Sequence, residues 1–155
     1  MIPEIKTILL AMTPINELRG TIPLAISLWG LSPYKAFLFS LIGNMLPVFF
    51  LLWFLPKFSE FLIKQSKFFT KFFDWLFERT RRKFYNKYQK FGDFALVIFV
   101  AIPLPLTGAW TGAIAAFLFG ISYGKSLALI FLGVFLAGLI VTLASTGFFS
   151  LIGII

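Results

Sequence analysis

The chain has no cysteine and no histidine, and only six of its 155 residues are Asp or Glu. The missing cysteines exclude disulfides, thiol chemistry and zinc-thiolate sites. The missing histidines remove the side chain that most often moves protons near neutral pH. Any acid–base work falls to Asp, Glu, Lys, Arg and Tyr. Charge of either sign is scarce at 13% of residues, against 59% hydrophobic, a balance too apolar for a soluble domain of this length. A polytopic membrane protein is expected. The sequence offers no nucleophile–base pair, metal-ligand cluster or phosphate-cradling soluble loop, so it predicts neither an enzyme nor a need for metal or cofactor.

The charge that is present is uneven. The net charge is +8, and ten of the fourteen Lys and Arg lie between Lys57 and Lys90. Outside that region, Thr13 to Pro23, reading TPINELRGTIP, sets Glu17 and Arg19 among Pro14, Gly20 and Pro23, between two apolar runs. As a helix, the run from Met1 to Met12 would reach about 18 Å at ~1.5 Å per residue, short of a ~30 Å hydrocarbon core. An Arg and a Glu at membrane depth each cost roughly 2.5–3.5 kcal/mol unless partnered or facing a water-filled cavity. The reading is a re-entrant hairpin whose tip carries functional charges. No positive n-region or cleavage site precedes it, so the first run is expected to be structure rather than a leader.

In chain order, Pro3 and Glu4 suit a helix start. Pro14 ends the first leg, and Thr21 is the expected N-cap of a second leg to Trp29, with Pro23 in its first turn. Ser32 and Pro33 then open a full span to Leu55, carrying Asn44 and Pro47, which are read as a kink. From Lys57 to Glu78 charges recur at alternating three- and four-residue spacing, opposite Phe58, Phe61, Leu62, Phe68, Phe69, Phe72, Phe73 and Leu76. That pattern predicts an amphipathic interfacial helix. The stripe breaks at RTRRK, Arg79 to Lys83. Basic residues interleaved with aromatics can bind nucleic acid, but in so apolar a chain they read as a cytoplasmic topology anchor. Asp93 opens another short leg, Phe94 to Ile102, ended by Pro103 and Pro105. Thr107 is the expected cap of a helix from Ala109 to Phe119, and Lys125 to Gly147 makes a second full span.

A shift of ninety residues aligns WGLSPYKA, from Trp29, with FGISYGKS, from Phe119, and sets Thr21 on Thr111, Ala25 on Ala115 and Gly43 on Gly133. The expected architecture is an all-α integral membrane domain built as an inverted repeat of re-entrant hairpin plus transmembrane helix. Residues 1–55 and 93–155 are the two copies, joined by a basic amphipathic linker over 56–92. Two hairpins put both termini on the outer face; the rival plan of four plain spans puts both inside.

PINELRGTIPLAI and IPLPLTGAWTGAIAA resemble the paired motifs of the small multidrug export family of bacteria and archaea over nearly the whole chain, with Leu106 where that family commonly has glycine. In architecture the chain is also similar to the DedA and VTT (SNARE-associated) membrane proteins, which carry two facing re-entrant hairpins and are implicated in moving polyisoprenyl phosphates or phospholipids. The resemblance implies translocation of such an anionic lipid across the cell membrane. For that substrate, Arg19 supplies a fork for phosphate. Helix N-termini near Thr21 and Thr107 supply amide protons, and Thr21, Thr107 and Thr111 supply hydroxyls. Glu17 either holds Arg19 or takes up a coupling proton. Gly20, Gly108 and Trp110 complete the substrate-site candidates, while Pro14, Pro23, Pro103 and Pro105 shape the tips. Export of lipophilic cations is the alternative, with Glu17 as the lone membrane carboxylate and Trp29, Trp53 or Trp110 as aromatic contacts. A non-transporting scaffold is the third. Gly and Ala on the last helices suggest a homo-oligomer.

Overall fold

A computed structural model describes residues 2–102 and 107–153, apart from the side chains at 60, 62, 63, 65 and 69. Every described element is a helix: α1 (Pro3–Ala11), α2 (Glu17–Ser27), α3 (Pro33–Gln65), α4 (Lys67–Phe91), a 3-10 turn (Gly92–Phe94), α5 (Ala95–Ala101), α6 (Ala109–Leu118) and α7 (Tyr123–Leu151). Two helices carry stretches long and apolar enough to cross a membrane, Pro33–Ser59 and Tyr123–Leu151. Each exceeds the roughly twenty residues a bilayer requires. α1, α2, α5 and α6 have only 9, 11, 7 and 10 residues. At ~1.5 Å per residue, each of these reaches about half of a ~30 Å core or less.

α3 and α7 are antiparallel. Phe37 packs edge-on against Phe135 and touches Gly138, whereas further along α3 the Tyr123 hydroxyl donates to the Phe49 carbonyl at 3.5 Å. Each long helix takes a short one against a glycine. A Cβ on Gly43 would fall 2.4 Å from the Ile8 carbonyl oxygen, and one on Gly133 would fall 2.7 Å from the Val100 Cβ and 3.0 Å from the Val97 carbonyl oxygen. The outer faces of α3 and α7 leave Phe50, Trp53, Leu132, Leu139 and Ile140 exposed, as expected where the surrounding solvent is hydrocarbon.

Several boundaries differ from the sequence reading. Ser32 caps α3 as expected, its hydroxyl accepting the Lys35 N–H at 3.5 Å. Thr21, however, does not cap α2. That helix begins a full turn earlier, at Glu17, and Thr21 Oγ1 donates back to the Glu17 carbonyl at 2.5 Å, as hydroxyls within helices commonly do. Pro23 therefore lies inside α2, not in its first turn. α3 continues through Pro47 and Pro56, past the expected end at Leu55, to Gln65. The amphipathic stretch Lys57–Glu78 is accordingly not one helix. It divides at Ser66, which is extended (φ −157°, ψ 137°) and whose hydroxyl accepts the Phe68 N–H to start α4.

The stripe does not break at RTRRK, because its inward side continues under the charges through α4. Phe73, Thr80 and Phe84 are buried, with Phe77 and Tyr88 half-buried at helical spacing between and beyond them. α7 outlasts Gly147 and continues to Leu151; residues 154 and 155 lie outside the described residues.

Candidate functional site

The site forms where the break between α1 and α2 meets the break between α5 and α6. α1 ends at Ala11, and Thr13 Oγ1 closes the turn by donating to the Leu10 carbonyl at 2.7 Å. The chain re-enters helix at Glu17 with φ at +46°, a left-handed conformation that costs a non-glycine residue about 1–3 kcal/mol. It sets the Glu17 carboxylate across the gap. There it accepts the backbone N–H groups of Ala109 and Trp110, the latter on Oε1 at 3.4 Å. Arg19 follows two residues later. Its Nη2 donates to the Val100 and Ile102 carbonyls, both at 3.1 Å, and its Nη1 to Thr107 Oγ1 at 3.4 Å. In return, Trp110 Nε1 donates to the Met12 carbonyl at 3.2 Å.

These bonds have one physical purpose. A helix end exposes unpaired amide protons or carbonyls, and where it is buried away from water they need partners within the protein. α6 has no side-chain cap of its own, and Glu17 supplies one from the other helix pair. Arg19 binds the carbonyl end of α5, and Trp110 the carbonyl end of α1. The signs match the helix dipoles, with the anion at an N-terminus and the cation at a C-terminus. Close approach is needed, and Gly108 permits it: a Cβ there would fall 2.1 Å from Glu17 Oε2.

Beside this junction lies a cavity of about 730 Å³. Its polar end is formed by Asn16, Glu17, Arg19, Thr107 and Thr111. The walls are apolar, from Leu51, Phe54 and Leu55 of α3, Phe72, Phe73, Trp75 and Leu76 of α4, and Trp110 and Ile114 of α6.

Of the residues singled out from sequence, Glu17, Arg19, Gly20, Thr107, Trp110, Thr111 and Pro14 line this cavity. Gly108 sits behind it, against Glu17. Thr21 does not reach it; it is fully buried with its hydroxyl bonded inside α2. Thr107 is not the cap of α6, since Gly108 holds that position. The Thr107 hydroxyl instead donates to the Ile102 carbonyl at 2.9 Å, closing the α5–α6 break. Thr111 donates to the Gly108 carbonyl at 3.3 Å. Pro23 remains within α2, and Pro103 and Pro105 lie outside the described residues.

Two contributions were missed. The apolar face of α4 forms a cavity wall, although amphipathicity alone pointed only to an interface. Asn44, read as part of a kink, is 1% exposed, has no hydrogen-bond partner for its Oδ1 among the described residues, and lies in a narrow crevice with Glu17, Arg19 and Gly108. A lone amide in an apolar span was its one visible signal.

A family profile described as Putative small multi-drug export protein matches residues 17–140, which includes Glu17, Arg19 and the α5–α6 side of the junction but not the α1–α2 turn before Glu17. No curated protein and no solved structure matches the chain.

Proposed function

The chain belongs to this small multi-drug export family, and from that premise we propose a membrane transporter whose substrate is an amphiphile with a phosphate head and a long apolar tail, such as a polyisoprenyl phosphate. The observation that carries the reading is the cavity itself. Its walls suit a hydrocarbon tail, and its polar lining includes the Arg19 guanidinium, beside a Glu17 carboxylate that the α6 amides hold. Arginine matches phosphate through its planar fork of donors.

In this reading α1–α2 and α5–α6 are re-entrant hairpins of an inverted repeat whose tips meet near the midplane, as in the DedA type of membrane protein. Support comes from contacts that recur about ninety residues apart. Gly30 and Gly120 turn with φ of +63° and +66°. Lys35 pairs with Glu4, and Lys125 with Asp93. Gly43 meets Ile8 and Ala11, while Gly133 meets Val97 and Val100. With α3 and α7 antiparallel, the two hairpins enter from opposite faces. The basic linker is then cytoplasmic and both termini lie outside. A second copy of the chain completes the enclosure through the exposed faces of the long helices, and the protein acts by binding and carrying, not by bond-breaking chemistry.

Export of lipophilic cations is the second reading, favoured by the family description and by Trp75 and Trp110 in the cavity wall. Against it, the Glu17 carboxylate already receives two amide protons, and Arg19 lines the same polar end and repels a cation. Titration of the detergent-purified protein with farnesyl phosphate, farnesol and tetraphenylphosphonium separates the two. Farnesyl phosphate is expected to bind at least about tenfold tighter than farnesol, roughly 1.4 kcal/mol. Binding of the phosphonium alone would establish the cation reading instead.

A further inference from the structure

We infer that Arg79 and Lys83 of α4 form a second anion subsite at the mouth of the cavity, which receives the phosphate head of the lipid on its way to Arg19. The inference rests on the transporter reading above and adds an entry point to it. Trp75, Arg79 and Lys83 lie four residues apart on one face of α4 and line two further clefts that adjoin the main cavity. The outer cleft, of about 510 Å³, also contains Glu78 and Arg82. The inner one, of about 60 Å³, reaches Thr111, which also lines the main cavity. Trp75 borders all three spaces, and Arg79 and Lys83 line the two clefts beside the chamber that Arg19 lines.

Charge selects the occupant. Arg82 is paired with Glu78 at 2.5 Å, so the single carboxylate of the outer cleft is matched. None of the three ion pairs among the described residues involves Arg79 or Lys83. The Arg79 guanidinium lies 5.1 Å from the centre of the Trp75 ring, a stacking that holds it at the rim while leaving its edge available to an acceptor. A topology anchor needs only the number of cations on one side. It does not require two of them to line clefts that share Trp75 with an apolar chamber. A phosphate attached to a prenyl tail fits both features at once, because the head meets the cations while the tail enters past Trp75 and Leu76.

A rim charge acts chiefly on the rate of association. The Arg79→Gln/Lys83→Gln protein is therefore expected to bind farnesyl phosphate about tenfold more slowly than wild type, with farnesol binding unchanged. Lys71→Gln/Arg81→Gln removes the same charge from exposed positions of α4 that line none of these spaces, and it should stay within about twofold of wild type. Arg79→Lys, which keeps the charge, guards against misfolding of the double variant and should retain most of the rate. A wild-type rate in Arg79→Gln/Lys83→Gln, or equal slowing in Lys71→Gln/Arg81→Gln, overturns the subsite. If Arg19→Ala still weakens binding in that case, the transporter reading stands. Failure of the wild-type protein to bind farnesyl phosphate removes both.

Discussion

Arg19→Ala is expected to lower affinity for a prenyl phosphate by about 100-fold, roughly 2.7 kcal/mol, while farnesol binding stays near wild type. Arg19 is the fixed cation at the polar end of the cavity, and it is held there by bonds to two carbonyls of the α5 terminus. In the proposed mechanism its removal takes away the phosphate's partner, and it also leaves those carbonyls without this donor, so some loss of thermal stability accompanies the loss of binding. The two effects can be told apart. If Arg19 were only a cap, the surviving folded protein would bind farnesyl phosphate normally. Arg19→Lys is expected to recover part of the affinity, because a single ammonium keeps the charge but loses the planar fork that reaches two carbonyls and a substrate together. Titration of monodisperse wild type and both variants after size-exclusion chromatography checks this.

Gly108→Ala is expected to destabilise the fold by about 2–4 kcal/mol, through overpacking and the loss of a buried cap. The atoms nearest its Cβ would be Glu17 Oε2 at 2.1 Å and Glu17 Cδ and Oε1, each at 2.6 Å. The nearest contacts are therefore all with one carboxylate, which must leave the α6 amides to make room. Thermal unfolding in detergent should show a lowered midpoint. The clash also predicts coupling. In a Glu17→Ala background those atoms are gone, and Gly108→Ala should then cost less than about 1 kcal/mol, a clear departure from additivity. Equal costs in both backgrounds would mean that Glu17 does not dock at α6.

The two interruptions, near Pro14 and in PLPLTG, are readable because proline and charge punctuate otherwise apolar runs. The start of α3 is readable because Ser32 caps locally. The capping of the short helices was not, since Glu17 and Trp110, the residues that satisfy the ends of α6 and α1, stand more than ninety positions from those ends. With those partners hidden, Thr21 and Thr107 were the nearest plausible caps, and both use their hydroxyls elsewhere. Amphipathicity likewise gave the apolar face of α4 but not what it covers. That face closes a cavity over the junction, and so α4 is part of the site. Asn44 was legible only as an oddity, because an amide buried beside Glu17 and Arg19 becomes meaningful once α3 is packed against both tips.

The central claim is that the junction of the two helix breaks passes a phosphate-bearing amphiphile across a bilayer. The most direct measurement uses the purified protein in unilamellar vesicles with a fluorescent short-chain prenyl phosphate, reading the fraction made accessible to a membrane-impermeant quencher over time. The account predicts protein-dependent equilibration between the leaflets for the phosphate, abolished in Arg19→Ala. Equilibration no faster than in protein-free vesicles, or transport confined to a lipophilic cation and indifferent to Arg19, would contradict it.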